Sequence, residues 1–314
     1  MPCRNVSCHA IECPYSGKRS TMTSTVIDSP LQVRTSRRNA AASPLRYPGG
    51  KAALATFFGD VIERLGISNA RYVEPYAGGV GAGIALLRQD RVQELVINDI
   101  DPAVHSFWRS VVECPDKFAE LVVSTPLDID EWRNQKKIYL EADESDPLSL
   151  GFAFFYLNRT NRSGILNAGP IGGVKQSGNY KIDARYNRKQ LAERISRIGE
   201  LSSRITVLSL DGASVAQKYA GDPSAFTYID PPYVDAGGSL YLNSFTYRDH
   251  AELAKRLDQC PNGNWIVTYD PSDFIRRIYS AHSVREYELN YSANRTGKAC
   301  ELLIASMPAA QVLV

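Results

Sequence analysis

Apolar and β-branched residues fall along this chain in short runs: Arg71 to Glu74, Leu95 to Asn98, Ile205 to Leu208, Phe226 to Ile229, Trp265 to Tyr269 and Leu302 to Ser306. Runs of this length predict strands. Between several of them the apolar spacing switches to a helical period, at Gly83 to Asp90, Pro102 to Val112 and His250 to Leu257. Alternation of the two kinds predicts an α/β sheet with helices on both faces. From about Val112 to Ser203 the alternation stops. An Asp/Glu-rich helical stretch, an apolar segment, a Gly/Asn/Arg-rich loop and a basic helix follow in turn. This reads as an insert between the second and third core strands, with no internal repeat.

Composition narrows the class. With 314 residues, 44% hydrophobic and 22% charged, the chain can bury a sizeable core and is not of disordered type. The longest apolar stretch, around Gly151 to Leu157, falls far short of the roughly 20 residues a membrane helix needs. The first thirty residues lack an apolar signal-peptide core, so a cytoplasmic protein with no membrane partner is expected. Residues 1–43 read as a disordered leader, with Met22 as an alternative start. Cys3, Cys8 and Cys13 beside His9 are spaced too widely for the usual tetrahedral zinc pattern, so no metal site is expected. Cys114, Cys260 and Cys300 are scattered singly, as in a reducing compartment. Residues 44–111 and 204–314 are expected to form the main domain and 112–203 the inserted subdomain.

The net charge of +2 conceals an asymmetry. From Ser110 to Leu150 there are ten acids against four bases, and from Gly151 to Arg204 ten bases against three acids. The second region suits a phosphate backbone or a solvated basic face, and charge alone does not separate the two.

Three segments carry chemistry. In Arg71-Tyr-Val-Glu-Pro-Tyr-Ala-Gly-Gly-Val-Gly-Ala-Gly83 a strand runs into a glycine-rich turn and the start of a helix. Asp99 ends the next apolar run, where an acid can accept from ribose hydroxyls. The glycine spacing departs from G-x-G-x-x-G, so the pair points to an adenosine-containing cofactor, with tight strand–helix packing as the alternative. Next, Ala225-Phe-Thr-Tyr-Ile-Asp-Pro-Pro-Tyr233 ends a strand in a carboxylate, a rigid diproline and a ring. Asp230 with a proline carbonyl can accept from an exocyclic amino group, and Tyr233 can stack on the base that bears it. Finally, Leu45-Arg-Tyr-Pro-Gly-Gly-Lys51 is too short for a phosphate loop and alone is an ordinary turn.

Taken in order, Arg46-Tyr-Pro-Gly-Gly-Lys51, Glu74-Pro-Tyr-Ala-Gly78, Asp99, a basic insert and Asp230-Pro-Pro-Tyr233 resemble the Dam-like, alpha-type DNA adenine-N6 methyltransferases. The resemblance covers roughly Pro44 to Pro308. It takes in Phe155 to Gly164 as the Asn-Arg segment entering the recognition region, Phe245 to Leu257 as the substrate-side segment, and Asn290 to Ile304, with Arg295 and Glu301, as closing strands. It implies a Rossmann-like S-adenosylmethionine-dependent methyltransferase sheet with an inserted, mainly helical target-recognition subdomain. Tyr47, Gly49, Gly50 and Lys51 would border the methionine end of the cofactor. Glu74, Tyr76 and Gly78 would lie beneath it, Asp99 would take the ribose hydroxyls, and Asp211 would approach the cofactor's adenine amino group. The glycine turn is two residues longer than the family's usual Phe-x-Gly-x-Gly, leaving Gly78, Gly79 and Gly81 as alternatives for the closest contact.

Asp230, Pro231, Pro232 and Tyr233 would hold an adenine flipped out of duplex DNA, while Arg46, Arg159, Asn161 and Arg162 would touch the DNA. A monomer, with a cognate restriction endonuclease as companion, is the arrangement this resemblance suggests. Competing readings are a cytosine-N4 methyltransferase, which more often has Ser at position 230, an enzyme acting on RNA or on a glutamine amide, which more often has Asn-Pro-Pro-Tyr, and a non-catalytic DNA-binding protein.

Overall fold

A computed structural model describes residues 31, 33, 35, 42–46, 51–233, 245–291 and 297–313. Seven strands form one sheet: β1 (Arg71–Glu74), β2 (Glu94–Asn98), β3 (Ile205–Leu208), β4 (Ala225–Ile229), β5 (Trp265–Tyr269), β6 (Ser283–Tyr291) and β7 (Gly297–Ala305). Their spatial order is β3-β2-β1-β4-β5-β7-β6. The first five are parallel, and β7 runs antiparallel to both β5 and β6. Chain order reverses direction between β1 and β4, so the crevice at their carboxyl ends is where an open α/β sheet binds ligands.

The strands are buried because both faces are covered. Tyr72, Phe226, Tyr228 and Ile266 point to one face, beneath α1 (Ala55–Arg64), α2 (Gly81–Arg88) and α3 (Pro102–Glu113). Trp265, Val267, Leu302 and Ile304 point to the other, beneath α8 (Gly212–Ala220), α9 (Tyr247–Leu257) and α10 (Asp273–Ile278). A short helix, α11 (Met307–Val312), closes the described chain, with Ser306 as its cap rather than a strand residue. The six expected strands are present. β6 was not expected as a separate strand over this range. Its Arg285, Glu286 and Glu288 break the apolar pattern, as charges on an outer strand do.

The insert holds α4 (Pro115–Ser124), α5 (Ile129–Glu141), α6 (Pro147–Thr160) and α7 (Arg188–Gly199). Asp128, Asp146 and Asn187 cap α5, α6 and α7 by accepting backbone N–H groups of the first turn. The apolar segment around Gly151 to Leu157 is the middle of α6, buried from Leu150 to Asn158. A helix buried on all sides belongs to a core. At Gly151 the backbone of α3 comes so close that an added Cβ would lie 2.6 Å from Ser106 O and Phe107 N. Rings of Phe107, Phe118, Phe152 and Phe155 then interlock α3, α4 and α6. The insert thus shares its core with the sheet domain and does not stand apart from it.

The segment read as a leader also needs correction at its end. Leu31 is buried, its N–H donates to Glu286 O at 2.7 Å, and it bridges to Tyr287 of β6. Ala42 and Ser43 are buried too. Cys3, Cys8, His9, Cys13 and Met22 lie outside the described residues. Among the described residues, no helix is long and apolar enough to cross a membrane.

Candidate active site

Asp230 follows the last residue of β4, after five fully enclosed positions. Its half-buried carboxylate meets Thr268, Lys51 and, at 3.5 Å from Oδ1, the Tyr233 hydroxyl. Thr268, the fourth residue of β5, donates to Oδ1 at 2.8 Å. Thr268 has one hydroxyl proton, so the Tyr228 hydroxyl 2.8 Å away must donate to it in turn. Lys51, in the 3-10 turn Lys51–Leu54, places Nζ 3.2 Å from Oδ2. The same ammonium lies 2.7 Å from the Tyr233 hydroxyl and 3.5 Å from Glu301 Oε1. Tyr233 donates to Glu301 Oε1 at 3.2 Å, and the Tyr287 hydroxyl donates to Glu301 Oε2. Burial pushes the Asp230 carboxyl above its ordinary value, Lys51 opposes that shift, and Glu301 adds to it.

The sheet edge beside this corner is acidic as well. Glu74 ends β1, buried, with Oε1 accepting from Gly83 N–H at 3.2 Å. Burial is the main reason its carboxyl is pushed up to about 8, with Asp230 adding to the shift. Beyond it the chain turns through Gly78, whose φ of 46° suits glycine. Gly78 N–H donates to Asp99 Oδ2 and Asp101 N–H to Asp99 Oδ1, each at 3.0 Å, while Gly78 O accepts from Trp108 Nε1. Gly81 and Gly83 instead make room for Ala52 and for Leu95, so they are packing glycines. Burial pushes Asp99 up to about 6, against the pull of those two N–H groups.

Asn98 was not expected to matter. Fully buried, its amide bonds Pro75 O and both backbone groups of Leu210, which ties the carboxyl ends of β1, β2 and β3 together. Ile100 and Leu210, apolar and each about half exposed, stand at the same edge.

The structure places the other expected site residues as follows. Lys51 is engaged with Asp230, Tyr233 and Glu301. Asp211 is exposed and caps α8, accepting from Ser214 N–H at 2.8 Å and its hydroxyl at 2.6 Å. The ring of Tyr76 packs edge-on against Phe245, and its buried hydroxyl has no hydrogen-bond partner among the described residues. Pro231 is buried, while Pro232 and Tyr233 are half-buried. Tyr47, Gly49, Gly50 and Arg295 lie outside the described residues.

Of the four expected DNA contacts, only Arg162 is exposed. Asn161 is fully buried: its oxygen accepts from Trp132 Nε1 at 2.7 Å and its amide donates to Ile165 O and Leu166 O. A side chain so committed staples the loop and does not face DNA. Arg159 is turned inward, donating to Pro44 O and Arg185 O, with a buried Nε that lacks a partner among the described residues. Burial, then Arg46 and Arg194, pull its guanidinium down to about 9. Arg46 is pinned at both backbone groups by Asn158, each bond 2.8 Å, and donates to Asn161 O. Arg194 donates to Ser43 O. Among the described residues, Arg46, Arg159, Arg185 and Arg194 lie close enough to repel one another; Arg46, Arg159 and Arg194 donate to backbone carbonyls, and none of the four has a carboxylate partner.

A family model described as D12 class N6 adenine-specific DNA methyltransferase matches residues 47–293. The chain is 21% identical over 265 residues to the type II methyltransferase M.MjaIII of Methanocaldococcus jannaschii, covering 77% of this chain and 89% of that one. It is 22% identical over 251 residues to the type II methyltransferase M.CviBI of Paramecium bursaria Chlorella virus NC1A, covering 79% and 90%. Among solved structures, the rRNA methyltransferase aviRa from Streptomyces viridochromogenes superposes with a TM-score of 0.42 at 12% identity, over 90% of this chain and 99% of that one. That likeness is too loose to carry an argument.

Proposed function

Since the chain belongs to the D12 class N6 adenine-specific DNA methyltransferases, we propose that Asp230, the Pro231 carbonyl and Tyr233 hold the target adenine, with S-adenosylmethionine in the crevice beside them. The observation that carries this reading is the Asp230 carboxylate, fixed by Thr268 and Lys51 at the β1/β4 crevice next to the glycine turn.

The residues present fit such a cofactor. Asp99, at the end of β2, offers acceptor oxygens to ribose hydroxyls, and Ile100 and Leu210 offer an apolar flank to an adenine ring. Glu74, a buried acid whose carboxyl lies high, suits the ammonium end of an amino acid. Asp211 remains at the same edge, as a helix cap that could also accept from the adenine amino group. Tyr76, Gly78 and the segment of Tyr47, Gly49 and Gly50 complete the proposed lining. When bound, S-adenosylmethionine supplies a methyl group activated by a positively charged sulfur.

Adenine N6 is a weak nucleophile because its lone pair is spread into the ring. Asp230 acts on that weakness by accepting an N6–H hydrogen bond, which favours a pyramidal nitrogen with its lone pair available. The Pro231 carbonyl accepts the second N6–H. A carboxylate is a stronger acceptor than a carboxylic acid, and Lys51 favours the ionised Asp230 against the burial that disfavours charge. Tyr233 offers a ring face to the flipped base, which offsets part of the few kcal/mol that unstacking costs. Positioning and fixed charges supply the rate enhancement.

On the DNA side, the converging Arg46, Arg159, Arg185 and Arg194 fit a backbone phosphate, whose charge relieves their mutual repulsion. Arg162 is the exposed candidate for a groove contact. A monomer is the proposed working unit. Duplex DNA in the cytoplasm is its proposed setting, with a cognate restriction endonuclease as companion. The test is transfer of labelled methyl from S-adenosylmethionine to duplex DNA, followed by nucleoside analysis. N6-methyladenine is expected; label in cytosine, or none in DNA, overturns the proposal.

A further inference from the structure

Glu301 is a carboxylate 3% exposed in the middle of a strand, between Leu302 and a cysteine, paired across the ladder with Tyr287 of β6. Burying a carboxylate is costly unless donors satisfy it. Among the described residues, Lys51 Nζ, the Tyr233 hydroxyl and the Tyr287 hydroxyl do so. The first two also touch the target-base corner. Lys51 sits between Asp230 Oδ2 and Glu301 Oε1 and donates to the Tyr233 oxygen, and the phenol proton is left facing Glu301 Oε1 at 3.2 Å, closer than Asp230 Oδ1 at 3.5 Å. Resting on the reading that Asp230 and Tyr233 hold the base, we propose that Glu301 is a positioning residue for methyl transfer. Through Lys51 and the Tyr233 hydroxyl it sets the orientation of both the accepting carboxylate and the stacking ring.

The site gives this role a signature that plain stability would not produce. Facing Asp230 are Lys51 from the 3-10 turn, Glu74 and Tyr72 from β1, Tyr228 from β4, Tyr233 after it, Glu301 from β7 and, behind Glu301, Tyr287 from β6. Glu301 is a negative neighbour that raises the Asp230 carboxyl. Activity needs Asp230 ionised, so it is lost as pH falls through that group's titration. Removing the Glu301 charge therefore moves the acid limb of the rate profile to lower pH, even as loss of positioning slows the reaction.

The test is Glu301→Gln, measured as kcat across pH alongside KM for duplex DNA and Kd for S-adenosylmethionine. A fall in kcat of about tenfold or more is expected for a lost charge-assisted bond, with KM and Kd little changed and the acid limb displaced downward. Adding Tyr233→Phe to Glu301→Gln should cost less than Tyr233→Phe alone, because the charge that strengthens the bond between the two side chains is already gone. A wild-type kcat, an acid limb that stays in place, or fully additive losses overturn the proposal. If Glu301→Gln does not fold, Tyr287→Phe serves instead: it removes one donor and no charge, so kcat should fall while the limb stays put. An unchanged kcat there overturns the proposal equally. Failure of the underlying reading looks different, since Asp230→Ala would then keep wild-type transfer.

Discussion

The carboxyl edge of the sheet and the base of the insert are opposite in charge and in how that charge is satisfied. Along the edge stand Glu74, Asp99, Asp230 and Glu301, with Lys51 as the cation between the last two. At the base of the insert Arg159, Arg185 and Arg194 converge with Arg46 of the sheet domain, and Arg46, Arg159 and Arg194 donate to backbone carbonyls. Neither arrangement stabilises a protein by itself, because like charges brought together out of water disfavour the charged forms. The shifts run accordingly: Glu74 up to about 8, Asp99 up to about 6, Arg159 down to about 9. Each region is what a ligand of opposite charge would complete, a cationic cofactor at the acidic edge and a phosphate at the basic one.

The sharpest attempt to break this contrast is Asp230→Ala. Methyl transfer should fall by at least the 10²–10³-fold typical of a lost transition-state contact, while titration with S-adenosylmethionine shows binding retained. Near-normal turnover would remove the acidic edge from the chemistry altogether. Asp99→Asn comes next. Cofactor affinity should fall by roughly tenfold or more, as for a hydrogen bond to a charged group. In the wild type, affinity should be full above about pH 7 and weaken as pH falls through about 6, where Asp99 takes up its proton. Calorimetric titration across that range checks both, and Asp99→Asn should flatten the dependence.

The two regions were not equally legible in the sequence. The strands that carry the acids appear as short apolar runs, and the residue closing each run is the acid itself, as at Asp99 and Asp230. Their partners could not be read, since Lys51, Thr268 and Glu301 come from segments far apart in the chain. Only the strand order β1-β4-β5-β7 brings them to one point. In the insert the Asn-Arg segment was conspicuous, but residue type says nothing about which way a side chain turns. Asn158 and Asn161 lie on or just after the last turn of α6 and bond inward, and Arg159 follows them. The apolar run preceding them was the better clue, for a helix buried on all sides draws its own terminus into the core.

Asn161→Ala tests that inward assignment. It leaves the Trp132 N–H without its acceptor and takes one of two donors from each of Ile165 O and Leu166 O, so a loss of about 1–3 kcal/mol in stability is expected. Thermal denaturation would show it, with DNA affinity per folded molecule little changed. Weakened DNA binding at unchanged stability would return Asn161 to the DNA surface.

The mildest variant bears directly on the basic cluster. Arg194→Met keeps the length of the side chain and its apolar packing but removes one of four converging charges. Its guanidinium has a single described bond, to Ser43 O at 3.4 Å, and burial followed by Arg197 already holds its pKa low. Stability should therefore stay level or rise slightly, because repulsion is relieved and little bonding is lost. DNA affinity should fall by a similar factor on every duplex, since a phosphate carries no sequence information. The slope of log affinity against log salt should become shallower by about 0.9, the value for one phosphate contact. A loss of stability with an unaltered slope would mean that the arginines brace the insert against the sheet domain, and that the phosphate surface lies elsewhere on it.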